Sequence, residues 1–125
     1  MSKIIINSNV FSKNEEERLT SVLAILKDGI INYKNDDVKV NITLLKDKII
    51  LVRENDNMAL TLEFEENKTL STKYVIKDLG VEIKVETKTE RLLINNNGFK
   101  IKYELFMNGE FSDTFNYEVE WSELR

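Results

Sequence analysis

Hydrophobic and polar residues alternate along most of the second half of the chain, and a period of two separates a half-buried strand from a helix. Met58, Leu60, Leu62 and Phe64 share one face, with Ala59, Thr61, Glu63 and Glu65 on the other. Val81, Ile83, Val85, Thr87 and Thr89 alternate with Glu82, Lys84, Glu86, Lys88 and Glu90. Phe99, Ile101, Tyr103, Leu105 and Met107 repeat the pattern, as do Phe115, Tyr117, Val119 and Trp121. Successive strands that bury only one face predict an antiparallel meander, because parallel strands covered on both faces read as continuous apolar runs.

The breaks between these runs carry turn chemistry. Asn108-Gly109 between alternating segments is a strong hairpin signal, since a type I′ turn needs positive φ at both central residues. Asn96-Asn97-Gly98 and Leu79-Gly80 read as further turns, each glycine being assigned to positive φ. Glu66-Asn67-Lys68, Lys46-Asp47-Lys48 and the acidic pair Asp36-Asp37 are polar breaks of similar length.

One segment supports two readings. Ser12-Lys13-Asn14-Glu15 matches a capping box, and Leu19, Val22, Leu23 and Leu26 recur at helical spacing before Gly29, which predicts a helix. As a strand, the same stretch puts Leu19, Ser21, Leu23 and Ile25 on one face and Thr20, Val22, Ala24 and Leu26 on the other. Periodicity leaves residues 13–28 open between them.

Composition narrows the chemistry. The chain has 125 residues, enough for one domain with a real core and too few for two. It lacks cysteine and histidine, which excludes disulfides, thiol nucleophiles, His-dependent triads and the commonest zinc and haem ligands. No cofactor is implied, and the acidic pairs lack the ordered spacing of a calcium loop. A net charge of −4 speaks against nucleic acid as a partner. No run is apolar for long enough to span a bilayer, and no signal-peptide pattern opens the chain, so the expectation is a cytoplasmic protein.

A resemblance bears on the fold. Ile49–Glu54 (IILVRE), Met58 through the acidic turn after Phe64, Tyr74, Gly80 opening a strand, Thr87-Lys88-Thr89, and Ile101-Lys102-Tyr103 together resemble the YwiB-like family of small bacterial proteins. The likeness covers roughly residues 38–121. It implies an all-β fold, a single antiparallel meander over residues 1–125 that closes into a calycin-like (lipocalin-like) barrel of about eight to ten strands. By analogy Leu19–Leu26 is a strand and Lys27-Asp28-Gly29 a hairpin turn. The family brings a fold and no settled activity.

Three functions fit such a barrel. The first is binding of a small, partly apolar or anionic molecule in the interior, with Phe64, Tyr74, Phe99, Tyr103, Phe115, Tyr117 and Trp121 as wall or core residues. Arg53 shares parity with Ile49 and Leu51, so parity allows an inward position, where a guanidinium needs a carboxylate or an anionic ligand; as a strand-end residue it can equally snorkel to water. Arg53, Tyr74, Tyr103 and Tyr117 are the candidate ligand-binding residues. The second is a surface-acting interaction module or homodimer, suggested by Phe106, which is out of phase with its strand, and Phe111. The third is a small enzyme using internal Arg, Tyr and Glu; no catalytic constellation stands out.

Overall fold

The computed structural model describes residues 1–124. Ten strands follow one another: β1 Ser2–Phe11, β2 Glu16–Lys27, β3 Ile30–Asn35, β4 Val38–Leu44, β5 Lys48–Glu54, β6 Met58–Glu65, β7 Thr69–Ile76, β8 Val81–Asn95, β9 Gly98–Met107 and β10 Glu110–Glu123. A 3-10 turn at Lys77–Leu79, ended by Gly80 at φ 60°, separates β7 from β8. Each strand pairs antiparallel with its neighbour in sequence, and β1 also pairs with β10, which closes the barrel. Closure satisfies both edges of the meander and makes a second layer of helices unnecessary. No helix among the described residues is long and apolar enough to cross a membrane.

The inward face is the apolar face read from the alternation. Ile4, Ile6, Ile31, Ile42, Ile49, Phe64, Phe99 and Ile101 are at most 2% exposed and fill one half of the barrel with side chains. Thr87 and Thr89 lie in the same core; the Thr87 hydroxyl donates to the Glu63 carbonyl, while the Thr89 hydroxyl has no protein partner.

The open segment is a strand, but neither face assignment holds along its length. Ser21 adopts φ 55°, and the β1–β2 register shifts between Ile6↔Val22 and Ser8↔Leu19. Two β2 residues therefore stand opposite Asn7 alone, a β-bulge, and the Asn7 side-chain oxygen accepts from the Ser21 N–H at 2.8 Å. The bulge swaps faces. Leu19 lines the interior on one side of it; Val22, Ala24 and Leu26 pack inward on the other, leaving Leu23 and Ile25 outside. A step of three from Leu19 to Val22 is what made the pattern look helical. The capping-box residues do the same local work in a hairpin: the Ser12 hydroxyl accepts from the N–H groups of Asn14 and Glu15 in the β1–β2 turn.

Two glycines contrast. Asn108 and Gly109 have φ 51° and 81°, as a type I′ hairpin requires. Gly109→Ala should cost about 1–2 kcal/mol, the penalty for an L-residue in left-handed backbone; an unchanged urea midpoint would refute that strain. Gly98, expected in a turn at positive φ, lies instead in a strand. The turn is Asn96-Asn97, Asn95 pairs with Gly98, and Gly98 is a buried strand residue outside the left-handed region. A Cβ there would stand 2.5 Å from the Val119 carbonyl oxygen, so close backbone approach, not turn geometry, requires the glycine.

Candidate ligand-binding site

Interior side chains pack solid in one half of the barrel and leave room in the other. The free volume, about 280 Å³, is bounded by β1 (Ser8, Val10), the start of β2 with the residue before it (Glu15, Glu17, Leu19), β3 (Tyr33, Asn35), Val40 of β4, β5 (Leu51, Arg53), β6 (Leu60, Leu62), β9 (Tyr103, Leu105) and β10 (Phe115, Tyr117). Its floor is aromatic. Phe64, fully buried below it, meets Tyr103 at a ring-centroid distance of 4.7 Å, and Tyr103 stacks on Phe115 at 5.6 Å.

Among the described residues, Arg53 is the only cation in this lining. Strand parity puts it there: Ile49 and Leu51 precede it on the inner face of β5. Its guanidinium lies 3.9 Å from the Glu17 carboxylate, with the two side chains 33% and 58% exposed. An exposed pair at that separation contributes no more than about 1 kcal/mol. Arg53 lines the cavity, and its buried Nε has no hydrogen-bond partner, so the guanidinium retains unused donor capacity.

Phenol groups complete the polar part. Tyr33, Tyr103 and Tyr117 all titrate above the ordinary tyrosine range, chiefly because burial disfavours the phenolate. They are neutral at physiological pH and present O–H donors beside the arginine. The Tyr33 hydroxyl lies near those of Tyr117 and Ser8. Neutral phenols and one guanidinium suit an oxyanion; no cluster of three or more acidic side chains among the described residues is arranged to hold a metal ion.

The four residues singled out from the sequence separate here. Arg53, Tyr103 and Tyr117 come together around the cavity. Tyr74 pairs with Leu60 and Ile83 and packs half-buried on the core, outside the lining. Of the other aromatic wall candidates, Phe115 lines the cavity, while Phe64, Phe99 and Trp121 belong to the packed half. Ser8, Glu15, Glu17, Tyr33 and Asn35 were missed. Ser8 follows the parity of Ile4 and Ile6, and Tyr33 that of Ile31, so both were within reach of a period-two reading. The surface aromatics Phe106 and Phe111 pack edge to face on each other at 5.8 Å, with Phe111 57% exposed.

The fold and the cavity define a closed up-and-down barrel of ten antiparallel strands with a pocket at one end. The chain belongs to the DUF1934 family, described as a domain of unknown function, whose model matches residues 4–119. The crystal structure of ywiB protein from Bacillus subtilis is similar, with a TM-score of 0.63 over 98% of this chain and 91% of that one. At 13% identity that likeness is one of fold, in agreement with the resemblance seen in the sequence. Comparison with curated proteins gives no match.

Proposed function

We propose that the barrel mouth binds a small molecule with one anionic group, a carboxylate in the simplest case, on a partly apolar body. The observation that carries this reading is Arg53, inward-facing and loosely paired, with a buried Nε lacking a partner. A planar guanidinium recognises a carboxylate through paired hydrogen bonds, and Tyr33, Tyr103 and Tyr117 add neutral donors. Leu51, Leu60, Leu62, Leu105 and Phe115 offer an apolar body a dry wall. Glu15 and Glu17 share the site, so a second negative charge on the ligand would meet repulsion and a monoanion is favoured.

The test is calorimetric titration with short monocarboxylates. Wild type should bind butanoate, and Arg53→Met should weaken binding at least about tenfold, since a hydrogen bond to a charged group contributes about 1.5–3 kcal/mol. Because Arg53 is a third exposed, the variant should still unfold cooperatively. Equal affinity in the two proteins, or no binding by wild type, would reject the reading.

A further inference from the structure

The barrel wall has two places where neighbouring strands part, and they differ. The β6–β7 ladder is confined to Met58↔Ile76, Ala59↔Val75 and Leu60↔Tyr74. Beyond it the Thr72 and Thr87 hydroxyls donate to the carbonyls of Thr61 and Glu63, which stitches that opening shut. The β2–β3 ladder is equally short, Ile25↔Asn32, Leu26↔Ile31 and Lys27↔Ile30, and residues 16–24 of β2 have no partner on β3. Among the described residues nothing comparable reaches across here. The side-chain hydrogen bonds and ion pairs of β2 run to β1, within β2 itself, and to Arg53.

This unstitched slot lies level with the anchor. Arg53 pairs with Val40 and Val40 with Tyr33, so one transverse row leads from the guanidinium to the first β3 residue past the point where the strands part. At about 4.8 Å per strand spacing, the distance along that row is on the order of 10 Å. Outside the slot lies a trough of about 510 Å³, bounded on its apolar side by Leu23, Ile25 and Val52. Tyr33 and Val40 line both the trough and the inner cavity. Leu23 and Ile25 are 56% and 40% exposed, two large apolar side chains placed where the wall opens. Downward, the cavity stops on Tyr103 backed by Phe64; sideways, only the shared Tyr33 and Val40 separate it from the trough.

Resting on the binding role given to Arg53, we propose that the β2–β3 slot is a lateral portal and that the ligand is a monocarboxylate with a linear apolar tail. The carboxylate sits on Arg53, and the tail passes between Ala24 and Tyr33 to lie against Leu23, Ile25 and Val52.

The test is a series of unbranched acids, butanoate, hexanoate, octanoate and decanoate, titrated into wild type and into the Leu23→Ser/Ile25→Ser double variant. Both substituted side chains are exposed, and neither touches the anchor. Affinity should rise with chain length, up to about fourfold for each fully buried methylene. The double variant should weaken decanoate at least about tenfold and leave butanoate unchanged. Butanoate and decanoate binding alike in wild type, or a double variant that binds decanoate as wild type does, would overturn the portal while leaving the Arg53 site standing. Loss of all binding, or indifference to Arg53→Met, would instead remove the anchor and the portal with it. A wild-type dimer in sedimentation that the double variant abolishes would assign the trough to a second copy of the chain and overturn the proposal.

Discussion

Phe64→Ala should lower the free energy of unfolding by about 3–5 kcal/mol, the usual cost of removing a fully buried aromatic ring. Phe64 is completely inaccessible, and its ring supports Tyr103 from the packed half of the barrel. Neighbouring side chains are held by strand ladders on every side, so the wall has little freedom to collapse into the void. A domain of this size has only about 5–15 kcal/mol in total, so the variant should unfold at markedly lower urea concentration. The loss of support beneath Tyr103 should also deepen the mouth cavity. A loss below about 1 kcal/mol would mean that the interior around Phe64 repacks freely, contrary to the packing described.

The second large effect is expected at Gly98. Gly98→Val should cost about 3 kcal/mol or more, at or above the upper end for overpacking, because the obstacle is the Val119 carbonyl of a paired strand and not the tip of a flexible side chain. Relief requires moving β9 away from β10 where Glu120 pairs with Gly98. The contrast with Gly109, where an added Cβ meets nothing within 4 Å, separates the two causes. Equal losses at Gly98 and Gly109 in chemical denaturation would argue against the close approach.

What the sequence disclosed follows from where backbone geometry is regular. From β4 to β10 the side chains alternate except at the register shifts near Glu90 and Ser112, and the type I′ turn at Asn108-Gly109 needs residues that few other structures select, so the meander was legible there. Tyr103 and Tyr117 were legible as inward residues because parity survives along β9 and along β10 from Phe115 onward, whereas for Arg53 at the end of β5 parity left both the interior and the solvent open. Parity fails at β2, where the inserted Ser21 converts a step of two into a step of three, and Glu15 and Glu17 went unseen with it. Tyr74 shows a different limit. It shares the transverse row of Arg53 but lies two strands away, beyond Leu60, and facing inward does not by itself place a residue at the cavity. Gly98 illustrates a third: a nonlocal contact with Val119 leaves no trace in the residues around the glycine.

The closing ladder has a kinetic consequence. Every strand pairing but one joins consecutive segments, so most of the wall can grow as hairpins at small entropic cost; β1 with β10, tied also by the Leu124 N–H to the Lys3 carbonyl at 2.9 Å, is the exception. That seam closes a loop of roughly a hundred residues. Its entropy penalty grows only with the logarithm of length, but nonlocal pairing of this kind is what slows folding. Ser8 and Val10 come from one side of the seam and Phe115 and Tyr117 from the other. The enclosed mouth therefore exists only once that long-range ladder has formed, and no partially zipped sheet possesses it.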